Sequence, residues 1–104
     1  MLSKNYRLGK TEVERVYKKG IRQYHQPFLV RMLVNQLTHN RYAVIIPKAI
    51  IAKAFDRNRL RRKIYLFLQN ENISGHNDIL ISLKQKADEA GIDKALKMII
   101  SKVN

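Results

Sequence analysis

Seven consecutive residues, Arg57-Asn58-Arg59-Leu60-Arg61-Arg62-Lys63, carry five cations, and no acid follows them until Glu71. On a helix, Arg57/Arg61 and Arg59/Lys63 become i,i+4 like-charge pairs, each unfavourable by roughly 0.2–0.5 kcal/mol. An ordinary solvated face would intersperse Glu or Asp. A polyanion held against the segment turns the repulsion into attraction, and phosphate fits best, because Arg and Lys neutralise phosphates and release their counterions. Arg outnumbers Lys four to one here, which suits bidentate phosphate contacts and stacking. Leu60 and Ile64 face a core at the same time. Asn58, neutral within the cluster, suits a base edge or a ribose hydroxyl. The blander reading is a solvated basic face with Asn58 as filler, and it leaves the missing acids unexplained.

Catalysis by the protein itself finds little support in the residues. His25, His39 and His76 show no metal-ligand spacing, and two of them fall in expected loops. No carboxylate pair recurs at a spacing that suggests two-metal nuclease chemistry. Glu12 and Glu14 belong to a helix start, and Asp88 and Glu89 lie near another. Gly9, Gly20, Gly75 and Gly91 are scattered singly, so no phosphate loop is present. There are no cysteines, which excludes disulfides and thiolate metal sites and fits a cytoplasmic protein.

The 104 residues suit one domain spanning 1–104, with 45% apolar residues to build its core. The formal net charge is +13, and its distribution is informative. Residues 1–65 hold 16 Lys and Arg against Glu12, Glu14 and Asp56, a net of +13, whereas residues 66–104 hold five cations and five acids. One part is a cationic surface and the remainder neutral scaffold. Such polarity points to nucleic acid before membrane. The longest apolar run, Tyr42–Ile46, is far short of the ~18 residues needed to cross a bilayer. Met1–Asn5 lacks a signal-peptide core, so a cytoplasmic location is expected.

The elements that must position the basic run follow from pattern. Thr11-Glu12-Val13-Glu14 matches a capping box, opening a short helix toward Gly20 with Val13, Val16 and Tyr17 as its apolar stripe. Phe28–Asn35 and Arg41–Ile46, bracketed by Pro27 and Pro47, read as strands joined by a hairpin loop at Gln36–Asn40. Ile21–Tyr24 adds a short strand before them. From about Ile50 to Asn70 the period becomes helical, with Leu60, Ile64, Phe67 and Leu68 buried. Asn72–Asn77 is a loop, and Asp78–Lys84 is a strand with Ile79, Ile81 and Leu83 on one face. Ile92, Leu96, Ile99 and Val103 mark a final helix with Asp93 as its cap. The order α-β-β-β-α-β-α describes an α+β sandwich with helices packed on a mostly antiparallel sheet.

Arg57-Asn58-Arg59-Leu60-Arg61-Arg62 resembles the R-N-R-x-[KR]-R signature of the bacterial ribonuclease P protein subunit. The likeness runs in order along nearly the whole chain. Arg7-Leu8, then Val13, Val16, Tyr17 and Gly20, resembles the family's opening R-L and short aromatic-bearing helix. Arg41 to Lys48, followed by Ala52-Lys53-Ala54-Phe55-Asp56, resembles the strand and lysine-containing link that enter the motif, and Asp78-Ile79-Leu80-Ile81 the late strand. The chain departs at Lys48-Ala49, where two lysines are usual, at Tyr65, where a further arginine is usual, and at Val13, where the helix usually has an aromatic.

The resemblance implies the fold of the second domain of a ribosomal protein, with a left-handed βαβ crossover. It implies a protein with no catalytic residues and no metal of its own, partnered with a catalytic RNA and with precursor tRNA and needing no obligate protein partner or membrane. The RNA and its bound divalent ions, magnesium by expectation, remove the 5′ leader by phosphodiester hydrolysis. Carried onto this chain, Lys53, Arg57, Asn58, Arg59, Arg61, Arg62 and Lys63 bind the catalytic RNA. Val13, Tyr17, Arg31 and Lys48 line a cleft for the single-stranded leader, with Arg31 standing where a strand tyrosine is common. A ribosomal or ribosome-assembly protein without processing activity shares the composition and charge, but the ordered set of motifs favours ribonuclease P.

Overall fold

A computed structural model of the chain describes residues 4–71 and 73–103. A 3₁₀ turn at Lys4–Tyr6 is followed by helix α1 (Lys10–Lys19) and strands β1 (Ile21–His25), β2 (Phe28–Val34) and β3 (Arg41–Ile45). Helix α2 (Ala54–Glu71), strand β4 (Asn77–Leu83) and helix α3 (Glu89–Val103) complete the expected α-β-β-β-α-β-α order.

The four strands form one sheet in the order β1-β2-β4-β3. β1 pairs antiparallel with β2 and β2 antiparallel with β4, while β3 runs parallel to β4. The expected hairpin between β2 and β3 is therefore corrected, because β4 inserts between them. The α2 crossover makes this possible, since parallel neighbours need a long connection, and it supplies the βαβ unit.

The period-two alternation of the strands divides the apolar residues between two faces. Phe28 and Val30 of β2, Tyr42 and Val44 of β3, and Ile79, Ile81 and Leu83 of β4 form the main core with Leu60, Ile64, Tyr65 and Leu68 of α2 and Ile92, Leu96 and Ile99 of α3. Each such side chain contributes roughly 1.5–3 kcal/mol of burial. On the opposite face α1 sets Val16 on Ala43 and Leu80, with Leu8, Val13 and Leu33 around them. Phe67 is only partly buried. Of the expected α3 stripe, the Val103 side chain lies outside the described residues, as does Asn72 of the loop before β4.

Three helix starts differ from the sequence reading. α1 begins two residues before the expected box: Gly9 is its N-cap, and the Gly9 N–H donates to Glu12 Oε1 at 2.9 Å, so Glu12 rather than Glu14 closes the first turn. α2 begins at Ala54, not Ile50, because the amides of Ile50 and Ile51 both turn back to the Pro47 carbonyl. α3 is capped by Asp88, whose Oδ1 accepts the Gly91 N–H at 2.8 Å, while Asp93 points at Lys63 instead. Gly75 has φ of +126°, open to glycine alone at little cost. There the Asn40 side chain donates to the Ile73 and Ser74 carbonyls and accepts the Asn77 N–H at 2.7 Å.

Candidate nucleic-acid interface

At 100° per residue, burying Leu60, Ile64 and Leu68 turns Asn58, Arg59 and Arg62 outward on α2, and all three are exposed. Arg59 rests its guanidinium 5.3 Å from the centre of the Phe55 ring, an exposed aromatic at the helix start. Lys53 is exposed just ahead of the helix. No ion pair reaches Arg57, Arg59, Arg61 or Arg62 among the described residues.

The other members of the run are partly committed within the protein. Arg57 donates to the carbonyls of Ile51 (3.0 Å) and Ala52 (2.7 Å), bracing the link that enters α2. Arg61 donates to Asn58 Oδ1 at 2.8 Å, leaving the Asn58 amide nitrogen directed away from that bond. Lys63 meets Glu89 and Asp93 of α3, each at 3.0 Å. Burial lowers its pKa, but the hydrogen bonds to Asp93 and Glu89 outweigh that and leave it raised. Lys63 thus ties α2 to α3, and the free cationic face is carried by Arg59 and Arg62.

The second group lies across the sheet, on the α1 face. Arg31 of β2 is 7% exposed, yet it sets its guanidinium 4.2 Å from the centre of the Tyr17 ring. Its Nε has no hydrogen-bond partner among the described residues. Directly opposite it on β1 stands Arg22, a second cation on the same face. α1 can end this close to the strand because of Gly20: a Cβ there would sit 2.6 Å from the Val16 carbonyl oxygen and 3.2 Å from the Arg31 Cβ. Tyr17 is 59% exposed, so the ring face away from Arg31 is open to a stacking partner.

Beyond α1 the floor of the sheet continues as the register row Tyr24, Leu29, Ser82 and Ile45. Its ends, Tyr24 and Ile45, are exposed. Lys48 follows at the exit of β3 and is exposed, whereas Val13 of α1 is half-buried and packs against the small cluster on the sheet. The structure therefore brings Tyr17 and Arg31 together and sets Lys48 at the far rim. It adds Arg22, Tyr24 and Ile45, which sequence reasoning missed. The alternation in Arg22-Gln23-Tyr24 would have placed Arg22 and Tyr24 on one face, but only the β1–β2 register shows that Arg31 shares it.

A buried carboxylate holds this face in place. Asp78 accepts from Arg41 Nε (2.9 Å) and a terminal guanidinium nitrogen (2.8 Å), and from Asn35 Nδ2 at 2.9 Å. Arg15 of α1 lies 4.0 Å from the same carboxylate. The hydrogen bond to Asp78 raises the Arg41 pKa, against a smaller opposing effect of burial. Tyr65 is packed in the core at 7% exposure, so its ring is not available for base stacking. Among the described residues, no three of His, Asp and Glu gather to hold a metal ion, and no helix is long and apolar enough to cross a membrane.

This arrangement suits a polyanion with unpaired bases: free arginines on one helix, and an aromatic and buried cation across the sheet. Known proteins agree. The ribonuclease P family model matches residues 2–104. A Staphylococcus aureus RNase P protein mutant with defective mRNA degradation activity superposes with a TM-score of 0.81 at 25% identity, covering 96% of this chain and 88% of that one. Another Staphylococcus aureus RNase P protein structure gives 0.63 at 26% identity, covering 99% and 86%. The RNase P protein of Thermotoga maritima gives 0.81 at 18% identity, covering 94% and 97%, a likeness of fold. Comparison with curated proteins gives no match. With its full-length family match, its fold and its arginine-bearing crossover helix, the chain belongs to the ribonuclease P protein family as the protein component of that ribonucleoprotein.

Proposed function

We propose that the whole chain acts as one cytoplasmic RNA-binding unit that grips two RNAs on two faces. The catalytic RNA lies on α2, held by Arg59, Arg62 and Asn58, with Arg57, Arg61, Lys63 and Lys53 adding positive potential around them. The single-stranded 5′ leader of precursor tRNA lies in the cleft between α1 and the sheet, against Tyr17, Arg31, Val13 and Lys48. The observation that carries this reading is Arg31, a buried cation stacked on an exposed tyrosine, with an Nε that has no partner among the described residues. An isolated buried charge is unfavourable, and a leader phosphate removes that penalty while a base stacks on the open Tyr17 face for roughly 1–3 kcal/mol.

The protein's residues then bind and orient, and no protein group moves a proton in the chemical step. Hydrolysis of the leader phosphodiester is the work of the catalytic RNA with its divalent ions. Two variants test the two faces. Arg59→Glu with Arg62→Glu should abolish assembly with the catalytic RNA while leaving the fold intact, since both side chains are exposed. Tyr17→Ala should weaken precursor tRNA carrying a leader several nucleotides long and scarcely affect mature tRNA. Unchanged assembly in the folded double variant, or equal losses for precursor and mature tRNA with Tyr17→Ala, would overturn the corresponding face.

A further inference from the structure

Tyr65 follows the basic run of α2. Burial raises the pKa of Tyr65, opposed by a hydrogen bond with the Val44 backbone and by the positive charges of Arg61 and Arg7. Beyond Tyr65 opens a cavity of about 870 Å³ whose lining includes Lys4, Arg7, Glu12, His39, Arg41 and Tyr65. That volume is in the range of nucleotide-sized ligand sites.

The walls are built from structure that is already tied down. The Leu8 N–H donates to the Tyr42 carbonyl at 2.8 Å, and Arg7 forms a backbone bridge with Tyr42, so the N-terminal segment runs beside β3. His39 Nε2 meets the Asn5 carbonyl at 3.0 Å, and its ring lies 4.7 Å from that of Tyr6. Glu12 is the one carboxylate in the described lining, and it is occupied, accepting the Gly9 N–H and facing Arg41 at 4.0 Å. Arg41 is in turn held by Asp78. Lys4 and Arg7 are exposed and make no ion pair among the described residues. The cavity therefore offers two cations, Lys4 and Arg7, that make no ion pair among the described residues.

Its place decides which RNA it serves. Gly9 and Glu12 mark the N-terminal end of α1, whereas Tyr17 and Arg31 mark the other end, roughly 12 Å away along the helix axis. The cavity adjoins α2 through Tyr65, and none of Tyr17, Arg31 or Lys48 belongs to its lining. We propose that this cavity is a second anchor for the catalytic RNA, taking one backbone phosphate between Lys4 and Arg7 with its nucleoside in the space bounded by Tyr65 and His39. The assignment rests on the reading of α2 as the catalytic-RNA face and extends that face around the edge of β3.

The test is binding of the full chain to the catalytic RNA alone over a salt series, with precursor and mature tRNA binding measured on the assembled ribonucleoprotein. The Lys4→Ala/Arg7→Ala variant should bind the catalytic RNA more weakly, with the magnitude of the log K against log salt slope reduced by about 1 for each lost phosphate contact. The precursor-to-mature preference should not change. Arg7→Gln alone keeps the backbone bridge to Tyr42 and should show part of the loss, and Arg7→Lys should restore most of it. An unchanged affinity and slope in the folded double variant, alongside loss of assembly in Arg59→Glu/Arg62→Glu, would remove the cavity and leave the α2 face standing. Normal assembly in both sets would overturn both claims. A loss confined to tRNA binding would also overturn the anchor.

Discussion

Replacing Arg31 by Met should stabilise the free protein and weaken its hold on the leader at the same time. The guanidinium is 7% exposed and its Nε unpartnered among the described residues, a desolvation cost of roughly 1–3 kcal/mol. Arg22, directly opposite on β1, adds about 0.2–1 kcal/mol of like-charge repulsion. Against these stands the contact with Tyr17 at 4.2 Å, worth about 0.5–2 kcal/mol. Met fills much of the same volume without the charge, so the balance favours it by about 1 kcal/mol. For a domain of this size that is a rise of roughly 4–8 °C in Tm. Losing a charge-assisted bond to a leader phosphate costs about 1.5–3 kcal/mol, a roughly ten- to hundredfold weaker affinity for precursor tRNA. Thermal melts of the free protein and competition between precursor and mature tRNA on the assembled ribonucleoprotein read the two effects separately. A Tm lowered by several degrees with an unchanged precursor preference would refute the reasoning, since Arg31 would then be a structural residue.

Asp78→Asn should destabilise the chain by about 1.5–3 kcal/mol in urea unfolding, because it removes the charge from a buried carboxylate that accepts two hydrogen bonds from the half-buried Arg41. His25 has its pKa lowered from 6.5 by burial and by Lys102. The folded state therefore binds fewer protons than the unfolded one, and stability should fall as pH drops below about 6.5; His25→Gln should flatten that part of the pH–stability curve. Replacing any one of His25, His39, His76, Glu14 or Asp88 should leave single-turnover cleavage by the assembled ribonucleoprotein within about tenfold at saturating protein and magnesium. A loss of about a thousandfold with assembly intact would assign acid–base chemistry to the protein.

Local pattern revealed most of the architecture and none of its long-range polar contacts. The α2 stripe of Leu60, Ile64 and Leu68 and the alternation of Ile79, Ile81 and Leu83 were legible because burial repeats at the period of the element. The helix starts were not. Gly9 has no side chain with which to announce a cap, so the Thr11–Glu14 spacing drew the reading two residues late. Ile50 and Ile51 continue an apolar pattern, yet Arg57 braces the carbonyls of Ile51 and Ala52 in a bend ahead of the helix. The β2–β3 linker looked like a hairpin because nothing in it reports that β4 will fill the gap. At the candidate interface the basic run was visible as composition. Its division into outward Arg59 and Arg62, an Arg57 brace and a Lys63 tie depended on partners as distant as Glu89 and Asp93. Arg31 read as a strand cation, and its burial against Tyr17 emerged only from the packing of α1 on the sheet.

The sheet partitions the apolar interior very unequally. α2 and α3 share the large cluster, whereas α1 contributes one fully buried residue, Val16, to the small one. Much of what fastens α1 is polar or peripheral: Arg15 near Asp78, Glu12 near Arg41, and Tyr17 under Arg31. The two layers accordingly differ in their free energies of local opening, with the α1 layer the lower. The layer assigned to the substrate can loosen and close again while the layer assigned to the catalytic RNA keeps its shape. On the proposed assignment, closing the Tyr17 end of α1 on a leader would leave the packing of α2 and α3 in the large cluster undisturbed.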